Sequence, residues 1–221
     1  MKITWYGHAA FLIETGGMRL ILDPYRWPDA GGYLPINEPA DLVVVSHEND
    51  RYHSHLGQII PPFEVVRALE LPEGGVTVRD IDIDAIHVFE DAKRLPEDEV
   101  TIVEIVAERL RVVFLGDLGH PLDDAEIARL RGADVLLAAT GGPPTIDFPD
   151  LLPLIEAIAP RVVVPMHYKV EGKINLNIRP LGDFLEVMKD WPVTFVDGST
   201  VEWTRDLMPA GRSVVSLRPA R

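Results

Sequence analysis

Residues 41–55, DLVVVSHENDRYHSH, carry the reading of this chain. Asp41 to Ser46 is a nearly unbroken apolar run, the pattern of a strand buried on both faces. Directly after it come His47, Asn49, Asp50, His53 and His55, side chains able to hold a metal, with Arg51 set among them. Two later stretches repeat the design. RLRVVFLGD ends an apolar strand in Asp117, and RVVVPMH ends another in His167. Taken singly, each polar residue also fits a loop cap or a structural hydrogen bond. Three in the same context can converge on one sheet edge, where α/β-type proteins place their chemistry.

Working outward, the first third reads as strands. ITWY, AFLIET and RLILD are short apolar runs, with Gly16-Gly17 turning the second into the third. The Pro- and Gly-rich stretch from Asp23 to Asp41 is a long loop, and its segment from Tyr25 to Tyr33 is expected to wall the pocket. FEVVRALE reads as a helix. GVTVRD, IDIDAIHV, EVTIVEIV and RLRVVFLGD read as strands. The last third alternates: helix over LDDAEIARLRG, strand ADVLLAA, helix FPDLLPLIEAIA, strand RVVVPMH, helix RPLGDFLEVMKD. Leu181, Phe184, Leu185 and Met188 keep the spacing of one helical face. VTFVDGSTVEW is expected to close the chain as a hairpin, with a basic tail after Trp203.

The chain of 221 residues is 47% apolar and 25% charged, enough for a substantial core. Its net charge of -14 makes it a poor partner for polyphosphate backbones, so nucleic acid is discounted as a substrate. No run reaches the apolar length of a membrane span, and the N-terminus reads as strands rather than a signal peptide. There is no cysteine, so no thiolate ligates metal, and a cytoplasmic location is expected.

The ordered set ITWYGHAAFLIET, LILDP, DLVVVSH, FLGDLGH, GGPPTID and PMHYK resembles the small stand-alone zinc-dependent hydrolases of the metallo-β-lactamase superfamily. The resemblance runs from about Ile3 to Trp203. It implies one domain over 1–221 with an α/β fold, an αββα sandwich whose metal site lies at one edge between two sheets. Residues 204–221 form a tail outside it.

The family's H-x-H-x-D-H motif, aligned without a gap, keeps His47 but puts Asn49, Arg51 and Tyr52 at ligand positions. The family's F-H-D stretch is VFED here, with Glu90 in place of the histidine. Asp117 and His167 match the G-D and P-M-H motifs. The resemblance therefore implies His47, Asp117, His167 and Glu90 as metal ligands, for zinc or another divalent ion, at most one per chain and possibly none. Asp117 or Asp50 would accept a proton. His8, Asn49, Arg51, Tyr52, His120, Tyr168 and Lys169 would line the site or support it. A gapped alignment would let His53 stand in for a lost histidine, or make His53 and His55 the H-x-H pair.

Two functions stay open. One is one-metal hydrolysis of a small ester, lactone or phosphoester. The other is a metal-free small-molecule binding or assembly module in which the Arg51 guanidinium points into the pocket, takes the place of a metal and pairs with Glu90 or Asp117. Either way the expected partner is a small molecule, with no membrane and no nucleic acid.

Overall fold

The computed structural model describes residues 1–173 and 176–221. Strands β1 (Lys2–Gly7), β2 (Ala10–Thr15) and β3 (Met18–Leu22) form an antiparallel meander. β4 (Leu42–Val45) joins β3 in parallel, and β5 (Glu64–Arg67) joins β4 in parallel. β5 corrects the helix expected over FEVVRALE. β4 is buried on both faces and offers an open ladder edge. Val65 and Val66 are β-branched and fit that edge, so pairing overrides the short helical pattern. Only Ala68–Glu70 makes a turn of 3-10 helix.

The second sheet starts with β6 (Val76–Val78), β7 (Ile81–Phe89), β8 (Glu99–Ala107) and β9 (Leu110–Phe114), all antiparallel. Helix α1 (Asp124–Leu130) leads to β10 (Val135–Ala139), and α2 (Phe148–Ile158) leads to β11 (Val162–Met166). β9, β10 and β11 run parallel, as strands joined by helices must to lie side by side in one sheet. Asp123 caps α1 with a capping box, and Asp147 caps α2 by accepting from the Phe148 amide. Helix α3 (Leu181–Val187) follows, with Phe184 buried on its inner face.

The chain end departs from expectation. β12 (Val193–Phe195) and β13 (Thr200–Glu202) form no hairpin, because they enter different sheets. β13 pairs with β1, and β12 pairs with β14 (Ser213–Ser216). Gly198, at φ 156, lies between them where the chain crosses from one sheet to the other. The segment after residue 203 adds a strand to the second sheet. β14 lies between β11 and β12, with Val214 fully buried. The orders are β13-β1-β2-β3-β4-β5 and β12-β14-β11-β10-β9-β8-β7-β6.

The two sheets face each other across a core that includes Ile3, Trp5, Phe11, Leu20, Val44, Val103, Val112, Phe114, Leu137 and Val164. The alternation of each strand sends its other residues outward. From the second sheet these are Val113, Leu136, Val163 and Val214, which pack under Leu130, Leu151, Ile155, Ile158 and Phe184 of the helices. From the first sheet they are Tyr6, Leu12, Ile21, Val43 and Val45, covered by the long loops rather than by a helix. Each fully buried aliphatic side chain contributes about 1.5–3 kcal/mol before the entropy of ordering is subtracted. Tyr25 and Tyr33 belong to this outer core, with rings 5.6 Å apart, so these two aromatics of the loop expected to wall a pocket are packing residues, while Trp27 is exposed. Among the described residues no helix is long and apolar enough to cross a membrane.

Candidate metal centre

Strand direction brings the chemistry together. His47 follows the end of β4, Asp117 the end of β9, His167 the end of β11 and Glu90 the end of β7. His8 sits in the turn between β1 and β2. Two bonds hold the sheets in register here. The Thr101 hydroxyl donates to the Ser46 carbonyl at 2.7 Å, and the His167 amide donates to the His8 carbonyl at 3.1 Å. His8, Asp23 and His167 all have left-handed backbones, with φ of 51°, 41° and 48°. That conformation costs on the order of 1 kcal/mol or more for a residue with a Cβ, and such outliers cluster at functional sites.

A chain of hydrogen bonds sets the ring orientations. Ser46 Oγ donates its single proton to Asp23 Oδ2 at 2.5 Å, so its oxygen accepts from His47 Nδ1–H at 2.9 Å. His47 Nε2 then carries a lone pair. Asp23 also accepts from the Ser46 amide at 2.7 Å and from His53 Nδ1 at 2.9 Å. Asp23 is thus buried but fully engaged, and it orients two histidines at once. Its position directly after an apolar strand, like that of His47, marks it in the sequence.

His47 Nε2 faces Glu90 Oε1 at 3.4 Å with no hydrogen bond between them. With an oxygen of Asp117 these atoms lie within 4.8 Å of one another. On the other side of Asp117, His53 Nε2 is 3.0 Å from Oδ2, an ion-pair distance without hydrogen-bond alignment. His167 Nε2 is 3.8 Å from Oδ1. Ligands about 2.0–2.1 Å from one tetrahedral ion are about 3.3 Å apart. The spacing from His47 to Glu90 matches that edge. These residues fit a divalent ion, and their nitrogen and carboxylate donors suit one.

Burial opposes charge on His53, but Asp117 and then Asp23 outweigh it and raise the imidazole to about 10. Burial likewise opposes charge on Asp117, yet His53, His167 and His47 hold it well below the usual carboxylate range. Burial, then His167 and His53, push His8 well below its ordinary value, so its ring is neutral. Burial also lowers His167, against the pull of Asp117.

The remaining expected site residues fall in different places. Arg51 does not enter the pocket. It is exposed, its Nε donates to the Asp29 carbonyl at 3.1 Å, and its guanidinium lies 4.9 Å from the centre of the Tyr52 ring. The reason is the turn at Asn49, whose carbonyl accepts the amides of Tyr52, His53 and Ser54. That winding turns His53 inward and leaves Arg51 facing water. Tyr52 stacks on His8, with ring centres 5.1 Å apart and planes 10° apart. Asp50 is not brought to the cluster. It pairs on the surface with Arg26 at 2.5 Å and His55 at 2.9 Å, and the His55 hydrogen bond lowers its pKa first, with Arg26 adding.

His120 accepts from the Phe89 amide through Nε2 at 3.1 Å, which leaves Nδ1–H for the Pro121 carbonyl at 2.7 Å. It secures the strand end that carries Glu90. Gly119 completes that clamp: its amide donates to the Phe89 carbonyl, and any Cβ there would run into the Glu90 carbonyl. Tyr168 is buried against Trp5, and Lys169 is exposed.

The sequence model of the beta-lactamase superfamily domain matches residues 2–167. The chain belongs to that superfamily. A UPF0173 protein of Pyrococcus abyssi is 28% identical over 187 residues, covering 78% of this chain and 85% of that one. A UPF0173 metal-dependent hydrolase of Opitutus terrae is 28% identical over 202 residues, covering 80% and 88%. The crystal structure of a Thermotoga maritima protein classed with the Zn-dependent hydrolases of the metallo-beta-lactamase superfamily has a TM-score of 0.77 to this chain. It is 28% identical and covers 98% of this chain and 97% of that one. The two-sheet α/β architecture is the superfamily's, and the cluster at the strand ends is where this chain can hold a divalent ion.

Proposed function

We propose that this protein is a hydrolase of small esters, lactones or phosphoesters that works with a single divalent ion. One observation carries the reading. His47 Nε2 presents a lone pair to the Glu90 carboxylate at 3.4 Å, with an oxygen of Asp117 close by. Two acceptors held face to face repel unless a cation lies between them. His47, Glu90 and Asp117 would hold the ion, with His167 3.8 Å from Asp117 Oδ1 and His53 on Oδ2. Such an ion supplies an acidified water and polarises a carbonyl or phosphoryl oxygen.

The protein's own groups do the rest. Asp23 and Ser46 fix the tautomer of His47 so that Nε2 stays open. His53, between Asp23 and Asp117, takes the position of a cation beside the bridging carboxylate, which supports one ion rather than two. Asp117 Oδ1 is buried and has no hydrogen-bond partner among the described residues, so the proton of the attacking water is assigned to it. The test is metal analysis of protein purified without chelator, together with a panel of chromogenic esters, lactones and phosphoesters. The expected result is up to one ion per chain and turnover lost with chelator and with His47→Ala. A protein that holds no ion and turns over none of the panel would sink the reading.

A second reading, a metal-free binding module, draws on His53. Its imidazole between two carboxylates closes the pocket's charge without a metal. A folded protein that takes up no zinc, manganese or iron would favour it.

A further inference from the structure

The superfamily position that usually carries an imidazole after β7 carries Glu90 here, and the structure places its carboxylate in the cluster. Its Oε1 is 3.4 Å from His47 Nε2, and with Asp117 the three donor atoms lie within 4.8 Å. The donor set is then two anionic oxygens and one neutral nitrogen. Its members differ in access: the His47 side chain is 5% exposed and the Glu90 side chain 38%. Glu90 opens onto a depression lined by Gly119, Pro143, Pro144 and Thr145, so water reaches that side of the cluster.

Both features matter to an ion. Imidazole and thiolate donors suit zinc, whereas carboxylate, carbonyl and water donors suit manganese and magnesium. Harder ions also give up their waters reluctantly and need a site with open positions. The placement of Glu90 is built rather than accidental. The Phe89 amide is held by His120, the Phe89 carbonyl by Gly119, and the Glu90 amide by the Asp98 carbonyl at 2.9 Å. Gly119 has no room for a Cβ against the Glu90 carbonyl.

We infer that Glu90 shifts the ion preference of this site away from zinc and toward an oxygen-favouring divalent ion of the manganese kind. The inference rests on the one-ion reading above. Zinc outranks manganese in nearly every site in absolute affinity, so the ratio of the two affinities is the measure, not the winner.

The experiment uses the full chain, stripped with chelator and then titrated separately with Zn2+ and Mn2+. Zn2+ is followed by competition with a chromophoric chelator, and bound Mn2+ by paramagnetic resonance. Two variants are compared with the parent. Glu90→His restores the imidazole and is expected to raise the zinc-to-manganese affinity ratio by about tenfold or more, the scale on which changes around a metal site act. Glu90→Gln removes the charge and is expected to weaken manganese by about tenfold and zinc by less. Glu90 is half-exposed, and circular dichroism confirms that each variant is folded. A ratio unchanged within about twofold in both variants overturns the inference while leaving the one-ion reading intact. A parent that binds neither ion overturns both.

Discussion

Replacing His53 with alanine removes the imidazole that separates two buried carboxylates. Its nitrogens lie 2.9 Å from Asp23 and 3.0 Å from Asp117, and all three side chains are about nine-tenths buried or more. At an effective dielectric of about 20, each contact near 3 Å has a gross attraction of roughly 5 kcal/mol. Desolvation offsets much of this in the parent, but removing one partner leaves the other charges uncompensated, at about 3–5 kcal/mol. Asp23 keeps its two Ser46 donors, and Asp117 keeps His167 at 3.8 Å, which holds the loss within that range.

Urea unfolding in the presence of chelator, followed by tryptophan fluorescence, measures it. With a slope of about 2–3 kcal/mol per molar, the midpoint should fall by about 1–2.5 M. Arg51→Ala, at an exposed position, should stay within about 0.5 kcal/mol of the parent. The pH dependence has a definite sign. The folded pKa of His53 is raised to about 10, so its contribution is complete below the ordinary histidine value of about 6.5 and is lost as pH climbs to about 10. The parent should lose stability over that interval, and His53→Ala should lack that loss. A His53→Ala protein as stable as the parent, or a large cost at Arg51, would refute the assignment of the pocket cation.

Gly119→Ala should displace the Glu90 strand end and destabilise the protein by about 1–3 kcal/mol, read from the same urea curves; a neutral effect would mean that the close approach is not rigid. Deleting residues 204–221 removes β14 from between β11 and β12 and exposes Val214's neighbours, so the truncated chain should lose its cooperative transition; a folded truncation would show that the strand is dispensable. Burial pushes the phenols of Tyr6 and Tyr33 up to about 12, and those of Tyr25 and Tyr168 also rise. Phenolate absorbance should therefore develop late and together with unfolding. The stability these phenols supply is complete below about pH 10 and lost as pH rises to about 12; a simple titration of all five tyrosines near pH 10 would contradict their burial.

The sequence by itself determined the class of fold and the strand ends that carry the candidate site. Apolar runs closed by His47, Asp117 and His167 are legible because a strand buried on both faces must be continuous in apolar residues, and the polar residue that follows must lie at its end. Glu90 follows β7, a strand that alternates between buried and exposed residues, and only its place in the family's F-H-D stretch singled it out. Which neighbour of a loop residue turns inward was not legible, because it depends on the winding of the loop. The ungapped match to the family's motif put Arg51 in the pocket and the gapped match put His53 there; the turn at Asn49 decides for His53 and leaves Arg51 in water. The partners of short segments were hidden in the same way. VTFVDGSTVEW reads as a hairpin until β1 and β14 compete for its two halves, and FEVVRALE reads as a helix until β4 offers an edge. Pairing across long sequence separations is decided by the ladder edges and cores that the rest of the chain leaves open, and only the tertiary structure contains them.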